Sequence, residues 1–111
     1  MEQGLKQELE TLHEQICAAL ADTNRLQLLY LLAQGPLRVT ELTTELGLPQ
    51  STVSRHLRVL RERGLVETDR QGPSVYYSLA DKRVIEAIDL LRGILRDRVL
   101  RQARAVQELD S

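Results

Sequence analysis

Residues 47–64, Gly47-Leu48-Pro49-Gln50-Ser51-Thr52-Val53-Ser54-Arg55-His56-Leu57-Arg58-Val59-Leu60-Arg61-Glu62-Arg63-Gly64, constrain the fold of this 111-residue chain more than any other stretch. Val53, Leu57 and Leu60 recur at spacings of four and three, one face of a 3.6-residue period, so the segment predicts an amphipathic helix. Ser51 is a suitable N-cap and Gly64 a suitable C-terminal stop. The opposite side carries Ser54, Arg55, Arg58 and Arg61, with Gln50 and Ser51 at its start. Most helices of this pattern are simply solvated on their polar side, so the preceding segment matters. Val39-Thr40-Glu41-Leu42-Thr43-Thr44-Glu45-Leu46 predicts a shorter helix with Leu42 and Leu46 facing inward. Gly47 then falls at the left-handed C′ position, and Leu48-Pro49-Gln50 forms a turn. Two short helices joined by such a turn make a helix-turn-helix, whose second helix enters the major groove of DNA. Thr43 departs from that pattern, because a very small residue is usual where the two helices cross.

The formal net charge of −1 argues against a strong nucleic-acid binder, but its distribution does not. Residues 1–50 carry 3 basic and 7 acidic side chains, residues 51–83 carry 7 basic and 4 acidic, and residues 84–111 carry 5 of each. Positive charge is therefore concentrated where the polar helix face lies, which is what phosphate contact needs. With 3 Tyr, no Phe and no Trp, the core must be aliphatic. The leucine-rich, Gly- and Pro-poor composition points to a mainly helical fold of one domain over residues 1–111. One cysteine excludes an internal disulfide framework or a multi-cysteine zinc cluster within one chain. No apolar run approaches the length of a membrane span and no leader pattern is present, so a cytoplasmic protein with no membrane partner is expected.

The remaining segments build around the central unit. Leu5, Leu9, Leu12, Ile16 and Leu20 predict a helix over residues 1–21, whose apolar face needs a partner. Asp22-Thr23-Asn24 is a capping cluster. It leads into the run Leu26 to Ala33, apolar nearly all round and therefore buried on several sides, which ends at Gly35-Pro36. Behind the polar helix, residues 65–70 and 74–79 are β-rich runs around the turn Gln71-Gly72-Pro73 and read as a hairpin, the only strand signal in the chain. Arg70 and Gln71 lie near its tip, where they can reach phosphate or the minor groove; a plain stabilising hairpin is the bland alternative. Asp81 caps a last helix over residues 82–107 with the stripe Val84, Ile88, Leu91, Leu95, Val99 and Val106. That helix is too long to pack wholly on so small a body. Together with the first helix, about residues 4–21, it suggests a symmetric dimer.

The order helix, core helix, helix-turn-helix (about 39–64), wing (about 65–79), long helix resembles the ArsR/SmtB family of bacterial transcriptional repressors. The resemblance is carried by Ala19 to Leu26, Leu46 to Leu60, Gly64-Leu65-Val66 and Arg70 to Leu79. It implies a mainly α fold with a small β-hairpin: a winged helix-turn-helix homodimer joined through its first and last helices, bound to an inverted-repeat operator and released by an inducer. Position by position, it implies that Gln50, Ser51, Ser54 and Arg55 read base edges. Thr52, Arg58, Arg70 and Gln71 then contact phosphate. His56 either contacts DNA or packs beside Leu57.

The family's metal sites are where the chain departs. A Cys-Val-Cys motif is replaced by Arg38-Val39-Thr40. A second set of ligands on the last helix corresponds to Asp81, Arg83, Ile94 and Asp97, in which one histidine has become a cation and the other an aliphatic residue. Neither set can bind zinc in the family manner, and no cofactor is expected. His13 and Cys17, at i and i+4 on the flank of the first helix's stripe, can share a soft ion, or Cys17 can act as a lone reactive thiol. An ordinary, partly buried helix position is the reading favoured for Cys17. The chain is not expected to be an enzyme, because this pair has no evident orienting group or pocket loop. The competing function is a winged helix that binds a protein partner rather than DNA.

Overall fold

The computed structural model describes residues 1–110. In chain order the elements are α1 (Gln3–Leu12), a π-turn (His13–Cys17), α2 (Ala18–Leu20), α3 (Thr23–Leu32), β1 (Leu37–Arg38), α4 (Val39–Leu46), α5 (Gln50–Glu62), β2 (Val66–Gln71), β3 (Ser74–Leu79) and α6 (Arg83–Asp110). They form two compact units, the first Met1–Asp81 and the second beginning at Lys82.

The core of the first unit is aliphatic, as the composition requires. Leu28 and Leu29 of α3, Leu42 of α4, and Val53, Leu57 and Leu60 of α5 are fully buried. Each contributes about 1.5–3 kcal/mol relative to exposure. The helix α3 is the centre of this packing, touching α2, α4, α5 and β3. Asp22 is its N-cap. The carboxylate Oδ1 accepts from the backbone N–H groups of Asn24 (2.8 Å) and Arg25 (3.2 Å), satisfying two of the donors that a helix start leaves free.

The helix expected over residues 1–21 runs without a break from Gln3 to Leu20, but one of its turns is widened. The Ala18 N–H bonds to the carbonyl of His13, five residues back instead of four, so one turn widens to a π-turn. The spacing of four and four from Leu12 through Ile16 to Leu20 suits that wider turn, a signal that a period-3.6 reading passes over. A second difference lies in the sheet. The hairpin is not the only strand structure, because Leu37 and Arg38 pair antiparallel with Tyr77 and Tyr76, giving the order β1-β3-β2. Two residues are too short to show alternation in sequence. They form a strand because β3 offers them its free edge, and Pro36 just before them favours extended backbone at its own φ.

The β2–β3 hairpin runs in register from Val66↔Leu79 to Gln71↔Ser74. Its turn is therefore two residues, Gly72-Pro73, rather than the expected three, and Gln71 belongs to the strand. Gly72 has φ +62°, and proline fixes φ near −65° after it. A positive φ at the first central position only is the signature of a type II′ turn, which matches strand twist. In the second unit, α6 is a single helix of 28 residues, roughly 42 Å long at 1.5 Å per residue, and it runs through Gly93 without a break.

Candidate nucleic-acid interface

The helix α5 is held at both ends by backbone chemistry. Its start differs from expectation: Ser51 is not the cap. The carbonyl of Pro49, a residue in extended conformation (ψ 144°), accepts from Thr52 N (3.0 Å) and Val53 N (3.1 Å), so the helix begins at Gln50. Ser51 thus keeps its hydroxyl for another partner. At the other end Leu65 N donates to Leu60 O and Gly64 N to Arg61 O, with Gly64 at φ +73°. This pair of bonds is a Schellman stop. The turn before α5 is set by Gly47 (φ +67°), whose N–H donates to Thr43 O at 2.9 Å.

Between those ends the two faces separate cleanly. Val53, His56, Leu57 and Leu60 are buried. Gln50, Ser51, Arg55, Arg58 and Arg61 are exposed, and Thr52 and Ser54 are half-buried. In the hairpin, Arg70 and Gln71 are exposed at the turn, and Gln71 Nε2 donates to Asp69 Oδ2 at 3.1 Å. All the residues expected to contact DNA are thus on accessible surface or half-exposed, with one exception.

His56 is that exception. It is 5% exposed, so its place is on the packed side of the helix. At about 100° per residue it lies about 40° from Leu60, whereas Arg55 lies about 160° from Val53. Of the two roles open to His56 in the sequence, packing beside Leu57 is the one this geometry allows. Its ring is not idle, however. His56 Nδ1 lies 3.3 Å from Arg25 Nη1. A guanidinium has no acceptor, so Nδ1 must accept, and the neutral ring carries its proton on Nε2.

Arg25 was not visible as a functional residue in sequence. Its Nε donates to Ala19 O at 2.6 Å and its Nη2 to Ala18 O at 3.2 Å. One side chain on α3 therefore holds two carbonyls of α2 and reaches α5. Asp22 completes the group. Burial works against its charge. The Arg25 backbone N–H, the nearby His56 and Arg25 side chains and the Asn24 N–H outweigh that effect, and hold its carboxyl below the ordinary value of 3.8. A second link joins the same regions: Arg63 Nη1 donates to Gln15 Oε1 of the π-turn at 2.5 Å.

The positions that hold metal ligands in the resembling family do not fit a metal here. Arg38 occupies one thiolate position. Its Nε bonds Glu41 Oε1 at 3.0 Å, and its backbone N–H bonds the same oxygen at 3.1 Å. An incoming cation would meet a guanidinium already engaged with the nearest carboxylate, which the pair's mutual hydrogen bond holds below its ordinary range. Ile94 is an exposed aliphatic residue at another ligand position. Among the described residues no group of three or more His, Cys, Asp and Glu side chains could hold a metal ion. Cys17 is exposed rather than partly buried, and His13 is exposed as well, both within the π-turn.

Comparison with known proteins agrees with this geometry. The family described as bacterial regulatory protein, arsR family, matches residues 22–68, from the cap of α3 into the hairpin. The chain is 51% identical to the transcriptional regulator NmtR of Mycobacterium tuberculosis over 71 residues, spanning 64% of this chain and 59% of NmtR. It is 42% identical to the transcriptional activator HlyU of Vibrio cholerae over 76 residues, 68% of this chain and 70% of that protein. In three dimensions it resembles a homodimeric winged helix-turn-helix DNA-binding domain from Mycobacterium bovis, with a TM-score of 0.76 at 31% identity over 89% of this chain and 91% of that one. An exposed polar helix after a glycine turn, a hairpin wing behind it and these similarities make the chain a winged helix-turn-helix member of the arsR family of bacterial transcriptional regulators.

Proposed function

We propose that the protein is a homodimeric, sequence-specific DNA-binding repressor that sits on an inverted-repeat operator in the cytoplasm and leaves it when an effector arrives. The observation that carries this reading is the division of α5. Gln50, Ser51, Arg55 and Arg58 are exposed on one side, while Val53, Leu57 and Leu60 anchor the other. In the proposed complex Gln50, Ser51, Ser54 and Arg55 face base edges, Gln suiting adenine and Arg suiting guanine. Thr52, Arg58, Arg70 and Gln71 contact phosphate and fix the register. His56 is not among the contacts.

Dimerisation is proposed through α1 and α6. Leu5, Leu9 and Leu12 on α1, and Leu91, Leu95, Val99 and Val106 on α6, are all exposed in the single chain. Apolar stripes of this extent mark an interface, and the Mycobacterium bovis domain is a homodimer. The function as proposed includes no resident cofactor. If an effector is a soft metal or a thiol-reactive compound, Cys17 with His13 is where it would act. Cys17→Ser would then leave DNA binding intact and abolish release.

The test is footprinting of the purified protein on the DNA upstream of its own coding region at stated salt, paired with a promoter reporter. Protection of an inverted repeat with lowered reporter output is expected. Absence of protection would sink the proposal, and protection with raised output would reverse its sign, since HlyU is named an activator.

A further inference from the structure

Arg25 and His56 touch no candidate base or phosphate position, yet they connect the two parts of the first unit whose relation matters for reading DNA. On one side Arg25 binds the Ala18 and Ala19 carbonyls, where the N-terminal helical segment ends. On the other it donates to Nδ1 of His56, one residue from Arg55 on α5. We propose that this arginine and histidine are positioning residues for operator binding: the Arg25–His56 bond seats the reading helix against the end of the N-terminal segment, and protonation of His56 releases it. The inference rests on the DNA-binding reading above.

The chemistry is asymmetric with pH. Neutral His56 accepts a hydrogen bond from Arg25 Nη1 at Nδ1. A protonated ring is a donor at both nitrogens, so the same contact becomes donor facing donor and cation facing cation. The charged groups against the ring are Arg25 and, through its charge, Asp22, both at the start of α3. Of the other elements packed on α5, α4 buries Leu42 and β2 buries Val66; their charged side chains are Glu41, which is paired with Arg38, and Glu45, Glu67, Asp69 and Arg70, which are exposed. Asp22 is already engaged as the α3 cap, so it offsets only part of the repulsion. His56 is also buried, so the ring cannot turn to water without moving the helix. Acid should therefore weaken operator binding. Were His56 a phosphate contact, acid would strengthen it, so the sign alone separates the two roles.

The chain has only 2 histidines, which makes a clean experiment possible. Operator affinity of the full-length protein is measured at constant salt between about pH 5 and 8, the window in which imidazoles change charge. Circular dichroism and sedimentation at each pH confirm an intact dimer. The wild-type protein is expected to lose about tenfold in affinity toward the acid end, the size set by one hydrogen bond to a charged group. His13→Asn should follow the wild type. His56→Asn, which keeps an uncharged acceptor near the Nδ1 position, should show a flat profile whatever its affinity at the alkaline end. Arg25→Met provides a second route if His56→Asn does not fold: its profile should be flat or reversed. A flat or rising wild-type profile toward acid, or an unchanged slope in His56→Asn or Arg25→Met, overturns the inference while leaving DNA binding itself in place. Failure of the wild type to bind at the alkaline end overturns the DNA-binding reading and this inference with it.

Discussion

The backbone N–H of Leu65 donates to the carbonyl of Leu60 at 2.9 Å, closing the reading helix and turning the chain into the wing. Both side chains are buried, so the bond also fixes where the hairpin leaves the core. Gly64 makes this possible with φ +73°, and a Cβ there would meet no atom within 4 Å. The cost of a side chain is therefore purely conformational. Gly64→Ala should destabilise by about 1 kcal/mol, the left-handed penalty of 1–2 kcal/mol less the gain from a stiffer unfolded chain. Gly64→Asn should lose less. Urea denaturation of the three proteins checks the order.

Thr43 sits on α4 where a helix-turn-helix usually carries a very small residue, and its hydroxyl is buried without a hydrogen-bond partner. Such a group carries its desolvation penalty with nothing in return. Thr43→Val keeps the shape and removes the orphaned oxygen. It should raise stability by about 1 kcal/mol with no change in fold. A valine variant equal to or weaker than the wild type in thermal unfolding would mean the hydroxyl is satisfied in solution.

What the sequence disclosed and what it hid differ in physical kind. Periodicity reveals α4 and α5 because each buries one face, α3 shows as an apolar run and the hairpin as two β-rich runs around Gly72-Pro73, and glycines at 47 and 64 mark the ends of α4 and α5 through backbone conformation alone. Ser51 is chemically a good cap, yet α5 starts one residue before it, at Gln50, because the Pro49 carbonyl supplies the first bonds. A two-residue strand such as β1 leaves no pattern, and the π-turn shows only as the spacing of four and four from Leu12 to Leu20, which a period of 3.6 absorbs. His56 was ambiguous as a residue type but not as a position: its angle on the helix is that of the core. The link from Arg25 to Ala18, Ala19 and His56 joins residues up to 31 apart, which no local reading brings together.

Asp22 gives a pH signature separate from that of His56. Its folded pKa lies below 3.8. The ionised carboxyl therefore stabilises the fold above its unfolded value, and that contribution is lost as pH falls through the lower folded value. Asn is as good a cap as Asp but carries no charge. Asp22→Asn should be less stable than the wild type at pH 7 by about 0.3–1 kcal/mol, the range for a charge at a helix N-terminus. The two proteins should converge once the pH falls below the lowered folded value of Asp22. A constant gap at all pH would show that the charge contributes nothing.

Arg55 and Arg70 should fail in different ways. Arg55 is exposed on α5 and is proposed to read a base, so Arg55→Ala should cost on the order of 1–3 kcal/mol and relax preference at one operator position. Arg70 is exposed on the wing and is proposed to meet phosphate. Arg70→Ala should weaken all sequences alike and reduce the salt slope by about 1 for each protomer. Titrations of both variants at several salt concentrations, on the operator and on a scrambled duplex, distinguish these outcomes. Equal behaviour of the two would remove the division between reader and positioner.

Leu95 lies mid-way along α6 with 59% of its surface exposed, flanked on the same stripe by Leu91 and Val99, also more than half exposed. In the single chain this leucine has little burial to lose, so Leu95→Glu should leave the helical content of the monomer intact. In a two-fold dimer each substitution occurs twice across the same patch. Placing two carboxylates where two leucines were buried should weaken association by roughly 3–6 kcal/mol, twice the burial energy of one leucine. Sedimentation should then show a monomer at concentrations where the wild type is a dimer. Operator affinity should fall in parallel, because one reading helix alone spans half of an inverted repeat. A Leu95→Glu protein that sediments as the wild type does would move the interface off this stripe.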